Sequence, residues 1–221
     1  MHQILHEMEA DILSANRKLA EQNRERLRKN GVVGIDFLGS IGSGKTLLIE
    51  QLSKILREKG LGVAAIAGDV AGDDDYTRFK KHGIEAVNIN TGKECHLDAH
   101  LVEHALENLE LKGIDVLFIE NVGNLVCPAD FPLGSEKRAV VISVTEGEDI
   151  VRKHPLIFSQ ADVIVINKVD LAQAIEVDPM VLVKDAKRIN PNAEIILTDA
   201  RHGKGLTELL MALEIMQREN P

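Results

Sequence analysis

The stretch that decides the fold is Gly39-Ser40-Ile41-Gly42-Ser43-Gly44-Lys45-Thr46. It follows the β-branched run Val32–Leu38 and opens a helical pattern, which is the context of a phosphate-binding loop. The glycines of such a loop let backbone N–H groups wrap phosphates, Lys45 reaches the β and γ phosphates, and the Thr46 hydroxyl faces Mg²⁺. The stretch therefore predicts a nucleotide site formed by Gly39, Ser40, Gly42, Ser43, Gly44, Lys45 and Thr46.

Beyond about Gly31, apolar β-branched runs alternate with helical patterns. Because these runs are apolar on both faces, they indicate buried parallel strands joined by crossover helices. The predicted strands are Val32–Leu38, Gly62–Ala67, Ala86–Ile89, Val116–Glu120, Ala139–Ser143, Val163–Asn167 and Ile195–Thr198. We expect an α/β P-loop NTPase with a roughly seven-stranded, mostly parallel sheet and helices on both faces. Its ligands should bind at the carboxyl ends of the strands.

The bulk composition narrows the class of protein. The 221 residues fit one α/β domain with an appendage. The 26 basic against 35 acidic residues give a net charge of −9, which argues against nucleic acid as a partner. No apolar run approaches the roughly 18 residues of a membrane span, and the start lacks the pattern of a signal peptide. We therefore expect no membrane partner and a cytoplasmic protein.

The first 30 residues differ from the rest and are predicted to form an N-terminal amphipathic helix ahead of a GTPase domain at 31–221. Its apolar residues recur at spacings of three and four, and they are Leu5, Met8, Ile12, Ala15 and Leu19. This narrow stripe either packs against the helix's own domain or docks a partner protein or a second copy. The sequence leaves both alternatives open.

A second nucleotide motif is Asn167-Lys168-Val169-Asp170, directly after a predicted strand. It resembles the guanine-specificity motif of GTPases, in which the Asp carboxylate accepts hydrogen bonds from N1–H and the 2-amino group of guanine. Adenine offers no such donor pair, so the expected nucleotide is GTP. The loop after the last strand, which contains Asp199 and Ala200, is expected to cover the guanine.

The remaining polar positions of this edge are candidates for Mg²⁺ and for catalysis. Glu120 ends an apolar strand at the Walker B position, and the N–H of Gly123 is expected to sense the γ-phosphate. The glycine-bearing acidic segment 68–75 is predicted to be a switch, with Asp69 as the first choice for contacting the metal or orienting water and Asp75 as the second. Alternatively, residues 73–75 only cap a helix. The predicted catalytic group comprises Lys45, Asp69 and Glu120.

The two cysteines of the chain suggest a separate metal site. Cys95 and His96 precede a helical pattern, where a thiolate is favoured, and Cys127 follows Glu120 by one short loop. If the third and fourth strands are neighbours, their loops bring these residues together with one coordination position open. Such ligands suit Zn²⁺ or Ni²⁺. A nucleophilic Cys–His pair is the rival interpretation, and His100 and His104 are candidate auxiliary ligands.

Together with the P-loop and Asn167–Asp170, two segments carry a resemblance to a known family. They are Thr91-Gly92-Lys93-Glu94-Cys95-His96 and Glu120-Asn121-Val122-Gly123-Asn124-Leu125-Val126-Cys127-Pro128. In this order the motifs resemble those of the HypB family, the nickel-insertion GTPases of [NiFe]-hydrogenase maturation. The resemblance implies a GTP-dependent homodimer that binds nickel or zinc at Cys95, His96 and Cys127.

The resemblance also implies partners. They are a small zinc-containing nickel metallochaperone, docked on the N-terminal helix, and the hydrogenase large-subunit precursor that receives the nickel. Where dimerising relatives often carry a second lysine in the P-loop, this chain has Ser40 and Ile41. Slow hydrolysis is therefore expected, and Arg152 and Lys153 become candidates for contacts across the dimer. The alternative function is a metal-independent regulatory GTPase that switches a partner protein.

Overall fold

A seven-stranded sheet forms the centre of the molecule in a computed structural model, which describes the backbone of residues 2–215 and the side chains of residues 10–215. Every strand pair is parallel, and the order is β3-β2-β4-β1-β5-β6-β7. The strands are β1 Val33–Gly39, β2 Val63–Asp69, β3 Glu85–Asn90, β4 Val116–Glu120, β5 Lys137–Ser143, β6 Val163–Asn167 and β7 Glu194–Leu197. The predicted fold class is confirmed, and β4 and β6 occupy the predicted residues.

Helices cover both faces of this sheet. They are α1 His2–Lys29, α2 Lys45–Glu58, α3 Asp74–Lys81, α4 Ala99–Glu107, α5 Ile150–Lys153, α6 Pro155–Ser159, α7 Pro179–Ile189 and α8 Leu206–Ala212, with 3₁₀ turns at Cys127–Asp130, Val144–Glu146 and Val169–Leu171. One apolar cluster joins the sheet to α2, α3 and α8, and two others join its opposite face to α4 and to α6 and α7. None of the helices within residues 2–215 is long and apolar enough to cross a membrane.

The third and fourth strands, considered above as possible neighbours, are not adjacent, because β2 lies between β3 and β4. The side chains of β4 are buried along its whole length, so it needs a strand on each side, whereas β3 is only partly buried and forms the edge. The loop after β3 instead crosses the end of β2. Its Thr91 N–H donates to Asp69 O at 2.8 Å, and its Leu97 N–H donates to Asn121 Oδ1, beyond β4, at 3.0 Å.

Helix α1 packs on the domain through a face other than the predicted stripe. The buried residues of this face are Asn16, Ala20, Asn23 and Leu27. Asn16 accepts the N–H of Ala99 at 2.8 Å, and Asn23 donates to the carbonyl of Ala99 at 2.8 Å, so both amides satisfy the start of α4.

The predicted stripe is displaced by one residue from this packed face. Ile12 is 58% exposed, Ala15 is exposed and Leu19 is half-buried, whereas the side chains of Leu5 and Met8 lie outside the described residues. Ile12 and Ala15 therefore leave apolar surface available to a partner, whereas Leu19 is partly covered.

Candidate nucleotide site and metal centre

The P-loop joins β1 to α2 and closes around its own lysine. Gly39, Gly42 and Gly44 have φ values of 147°, 76° and 101°, and a Cβ on Gly39 would lie 2.1 Å from Val141 O, so this turn requires glycine. Lys45 Nζ donates to Gly39 O at 3.2 Å and to Ser40 O at 3.1 Å. Burial lowers the pKa of Lys45, while the nearby Glu120 carboxylate opposes that shift. The lysine thus sits buried inside the loop that should hold phosphate.

The Thr46 hydroxyl lies between two carboxylates at the start of α2. Its Oγ1 is 2.8 Å from Asp75 Oδ1 and 2.9 Å from Glu120 Oε1, yet a hydroxyl has one hydrogen to donate. The second oxygen of Glu120, Oε2, is buried without a hydrogen-bond partner among the described residues. Burial, followed by the charge of Asp75, raises the pKa of Glu120 to about 8. The Thr46 hydroxyl and the two carboxyl groups are closely placed hard oxygen ligands, which is the kind that fits Mg²⁺.

The two aspartates proposed for this site occupy different places. Asp75, the second choice, contacts Thr46 directly, while Asp69 accepts the N–H of Val70 at 2.6 Å at the end of β2. Both line the same cavity of about 480 Å³, which also includes Lys45 and Gly123. Asp73 is the N-cap residue of α3, but its side chain accepts no capping hydrogen bond. The acidic segment therefore faces the nucleotide site through Asp69 and Asp75.

The segment after Glu120 lies directly on the P-loop. Asn124 N–H donates to Gly39 O at 3.0 Å. A Cβ on Gly123 would lie 2.3 Å from Ile41 Cγ1 and 3.0 Å from the Ile41 backbone, so only glycine permits this approach. Gly123 is thereby placed beside the loop in which a γ-phosphate would sit.

The Asn167–Asp170 motif builds the wall of a second cavity, of about 300 Å³, and braces the P-loop. Asn167 donates to Ser43 O at 2.9 Å and accepts from Thr198 Oγ1 at 3.0 Å and from Ala200 N–H at 3.2 Å. Lys168 Nζ donates to Gly42 O at 2.6 Å. Asp170, Asp199 and Ala200 complete the lining, and this cavity is suited to a planar base.

Asp199 is buried within its own loop. Its carboxylate accepts the N–H of His202 at 3.1 Å and contacts His202 Nδ1 at 2.7 Å. Asp199 therefore both lines the base cavity and holds the shape of the loop around that cavity.

Cys95, His96 and Cys127 come together although their strands are not neighbours. One ligand atom from each, counted among the described residues, lies within 4.8 Å of the other two, and Cys95 Sγ is 3.8 Å from His96 Nδ1. Two sulfurs and one imidazole are the donor set that Zn²⁺ and Ni²⁺ prefer. A nucleophilic pair would need Cys95 and His96 alone, whereas the geometry adds Cys127 as a third ligand.

The electrostatics of this centre differ from expectation. Helix α4 begins only at Ala99, beyond Cys95 and His96, and its N-terminal Leu101 N–H is capped by Asp98 at 2.8 Å. A hydrogen bond with Cys127, followed by burial, raises the pKa of Cys95, so the expectation of a helix-favoured thiolate is wrong. Burial lowers the pKa of His96, which favours the neutral imidazole that binds metals.

Two asparagines in the segment after β4 were missed by sequence reasoning. Asn121 Oδ1 accepts Leu97 N–H at 3.0 Å, and Asn124 Nδ2 donates to Cys95 O at 3.3 Å. Asn124 Oδ1 also accepts Val126 N–H at 2.8 Å, just before Cys127. The sequence could have indicated both, because each asparagine directly follows a residue with a predicted role: Asn121 follows Glu120, and Asn124 follows Gly123.

A buried charge pair beneath the centre was also missed. Arg138 donates to Pro128 O at 2.8 Å and to Ala129 O at 3.2 Å, and its Nε lies 3.6 Å from Asp36 Oδ2 on β1. Burial raises the pKa of Asp36 to about 6, against the charge of Arg138. Asp36 is also 3.5 Å from Asn121 Nδ2. Asp36 thereby supports both segments that carry the candidate metal ligands. It acts through Arg138 on the segment of Cys127 and through Asn121 on the segment of Cys95 and His96.

Four further candidates lie elsewhere. His100 and His104 are exposed on α4 and are not part of the three-ligand group. Arg152 forms an ion pair with Asp185, and Lys153 Nζ contacts Asp149 at 2.6 Å. Both cations are thus engaged within their own chain.

Comparisons with known proteins agree on one family. Residues 33–197 match the family described as CobW/HypB/UreG, nucleotide-binding domain. A probable hydrogenase maturation factor HypB from Methanocaldococcus jannaschii is 57% identical over 95% of this chain and 94% of that protein. The crystal structure of HypB from Archaeoglobus fulgidus has a TM-score of 0.83 at 49% identity, covering 92% of this chain and 98% of that one.

A second solved structure, HypB from Helicobacter pylori in complex with nickel, has a TM-score of 0.85 at 34% identity. The similarity covers 92% of this chain and 94% of that one. With a P-loop, a base cavity and a Cys-His-Cys group on one sheet edge, the chain belongs to the HypB family of hydrogenase maturation factors.

Proposed function

We propose that the protein is a GTP-hydrolysing metallochaperone that couples GTP binding, hydrolysis and dimerisation to nickel delivery into a [NiFe]-hydrogenase precursor. One observation carries this proposal. In the segment from Glu120 to Cys127, Glu120 contacts the Thr46 hydroxyl at one end, Asn124 donates to the P-loop in the middle, and Cys127 lies beside Cys95 and His96 at the other end. A change at the phosphates therefore has a short covalent path to the metal.

The nucleotide is GTP, because the Asp170 carboxylate in the base cavity can accept both donors of the guanine edge. Lys45 exchanges the carbonyls of Gly39 and Ser40 for phosphate oxygens when the loop is filled. Thr46, Asp75 and Glu120 would hold Mg²⁺, which would offset the charge of the phosphates. Asp69, which lines the same cavity, would orient the attacking water.

Nickel or zinc is held as cargo by Cys95, His96 and Cys127, with a remaining position for water, a second copy or a recipient. The neutral imidazole of His96 and the paired sulfurs form a site that must lose protons to bind metal. Nickel bound to the Helicobacter pylori relative supports this assignment. Because both events share one segment, nucleotide state and metal affinity are coupled reciprocally.

The proposal extends to the partners and to the division of the chain. Residues 31–221 form the GTPase domain and dimerise with GTP, while residues 1–30 form the docking helix. The exposed Ile12 and Ala15 offer apolar surface to a small zinc-containing nickel metallochaperone. The hydrogenase large-subunit precursor then receives the nickel.

The coupling is tested by titrating nickel into the protein with GDP and with a non-hydrolysable GTP analogue. We expect the affinity, the stoichiometry or the coordination spectrum to differ between the two states. A Cys95→Ala/Cys127→Ala variant should lose this nickel binding and retain GTP hydrolysis. Identical titrations in both nucleotide states would contradict the coupling. A variant that loses nickel and still switches a partner normally would instead favour the metal-independent regulatory GTPase.

A further inference from the structure

Two side-chain contacts join α2 to α3, and they lie one helical turn apart on both helices. The first is the 2.8 Å contact between Thr46 Oγ1 and Asp75 Oδ1 in the candidate Mg²⁺ site. In the second, Arg78 donates from Nε to Glu50 Oε1 and from Nη2 to Glu50 Oε2, each at 2.9 Å. Glu50 follows Thr46 by four residues and Arg78 follows Asp75 by three, so each pair shares one face of its helix.

The contact between Glu50 and Arg78 is the stronger of the two. Its two parallel hydrogen bonds fix the direction of the arginine as well as its distance from the carboxylate. The Glu50 side chain is only 4% exposed, so water screens this ion pair less than a surface pair. The Thr46 hydroxyl, in contrast, has one hydrogen for two carboxylates. The arginine contact therefore decides how α3 lies on α2.

The start of α3 depends on this contact. Of the eight residues of α3, all of which the structure describes, Phe79 alone is buried. Asn88 donates to Gly72 O at 3.1 Å just before the helix, but this bond reaches no side chain of α3. The third guanidinium nitrogen of Arg78, Nη1, lies 4.0 Å from Asp75 Oδ1. One guanidinium group thus attracts the anchoring carboxylate on α2 and the Asp75 carboxylate on α3.

We propose that Arg78 is a positioning residue for the Mg²⁺ that accompanies GTP: anchored on Glu50, it holds Asp75 within reach of the ion. This inference rests on the proposed function and deepens it. Thr46 and Asp75 give up their mutual contact when both turn to the ion, so that contact cannot then fix α3. The contact between Glu50 and Arg78 uses no atom of Thr46 or Asp75, and it persists.

The test measures the binding of Mn²⁺ to the full chain with a non-hydrolysable GTP analogue. Mn²⁺ takes the same hard oxygen ligands as Mg²⁺, and its electron paramagnetic resonance reports affinity without relying on hydrolysis. We expect Arg78→Gln and Glu50→Gln each to weaken Mn²⁺ binding about tenfold, as for other groups that orient metal ligands. Arg78→Lys keeps the charge and loses the paired geometry, so its affinity should lie between those of the parent and Arg78→Gln.

The matched control is Arg57→Gln. Arg57 Nη1 donates to His82 O at 2.8 Å, so this arginine also joins α2 to α3, but at the end of α3 remote from Asp75. Its loss should leave Mn²⁺ affinity unchanged. Urea unfolding of each variant verifies that folded protein is measured. Because the Arg78 side chain is 45% exposed, Arg78→Gln keeps the test decisive even where the buried Glu50→Gln does not fold.

An Asp75→Asn background shows whether Arg78 acts through Asp75. A residue that acts only through Asp75 has no further effect once that carboxylate is gone, so Arg78→Gln should then leave Mn²⁺ affinity unchanged. Equal losses with and without Asp75→Asn would overturn the proposal, since Arg78 would then act directly on the nucleotide whose cavity it lines. Equal affinities of parent and Arg78→Gln would overturn it as well.

Failure of this inference is distinguishable from failure of the proposed function. A parent chain that binds no Mn²⁺ with the GTP analogue would overturn the Mg²⁺-dependent GTPase itself, and the positioning role with it. A parent chain that binds Mn²⁺ as tightly as Arg78→Gln does would overturn only the role of Arg78.

Discussion

Asn124 connects the P-loop to the metal centre through two hydrogen bonds of one residue. Its backbone N–H donates to Gly39 O at 3.0 Å, and its side-chain amide donates to Cys95 O at 3.3 Å. Gly39 begins the phosphate-binding loop, and Cys95 is a metal ligand in the proposed function. Movement of either loop therefore displaces a contact of the other.

Replacing Asn124 by alanine should uncouple nickel affinity from nucleotide state. The change removes the bond to Cys95 and the bond from Val126 N–H, but keeps the backbone bond to Gly39 and all three candidate metal ligands. We expect Ni²⁺ to bind with the same affinity in the GDP and GTP-analogue states, while nucleotide affinity is unchanged. The control is Asn30→Ala, whose amide bonds only within α1. A nucleotide-dependent difference that survives Asn124→Ala would show that the coupling runs through another contact.

Replacing Glu120 by glutamine should weaken the Mg²⁺ dependence of GTP hydrolysis. The amide oxygen can still accept from Thr46, but the negative charge beside the ion is lost. We expect the Mg²⁺ concentration for half-maximal hydrolysis to rise at least tenfold, by analogy with losses at other metal sites. The exposed Glu110, changed to glutamine, is the charge-matched control. An unchanged Mg²⁺ requirement would remove Glu120 from the site.

Replacing Asp36 by asparagine should change how stability varies with pH. The carboxyl has a pKa raised from 3.8 to about 6 by burial, so the folded protein holds its proton in a pH range where the unfolded chain has released it. The Asp36 contribution is therefore full below pH 3.8 and is lost as the pH rises to about 6. The difference in unfolding free energy between variant and parent should thus shift by up to about 3 kcal/mol across this window in favour of the variant.

Urea unfolding of the parent and of Asp36→Asn at several pH values measures this difference. The other titrating groups are common to both proteins and cancel in the comparison. A pH-independent difference would mean that Asp36 titrates as an ordinary exposed carboxyl, in conflict with its burial beside Arg138.

Replacing Asp170 by asparagine should alter which base is bound. In the proposed function the carboxylate accepts two hydrogen bonds from guanine, whereas an amide offers one acceptor and one donor group. We expect GTP affinity to fall about 100-fold, as follows from the loss of about 3 kcal/mol of charge-assisted hydrogen bonding. Affinity for xanthosine triphosphate, which carries a carbonyl in place of the 2-amino group, should rise.

Fluorescent-nucleotide titrations compare the two bases in parent and variant. Asp178→Asn serves as the control, because Asp178 caps α7 and asparagine caps helices equally well. Equal losses for both bases would indicate that Asp170 shapes the cavity without contacting the base.

Most of the fold could be predicted because buried parallel strands are continuous apolar runs. The sequence of β4 and β6 marks their bounds without help from other residues. The order of the strands could not be predicted in the same way, since it depends on which strand tolerates an exposed side. Strand β3, Glu85–Asn90, is partly exposed and tolerates the edge of the sheet, but this can be recognised only once the neighbouring strand is known.

The residues of the candidate site also divide into those that the sequence predicts and those that it does not. Some site residues belong to motifs whose residue types indicate their chemistry, namely Lys45, Thr46 and the Cys-His-Cys set. Asp36 and Asn124 act on backbone atoms and charges that are distant in sequence, and no spacing rule connects them to their partners. A charged residue inside the apolar run of β1 was nevertheless a visible anomaly, because a buried carboxylate requires a partner.

Cys95 follows β3 and Cys127 follows β4, and β2 lies between these two strands. An ion bound to both cysteines would therefore connect two loops whose strands are not hydrogen-bonded to each other. Such an ion acts as a reversible cross-link, and closing the chain between the two cysteines costs conformational entropy. In the proposed function, the chain makes this cross-link when it takes up the metal and breaks it when it hands the metal to a recipient.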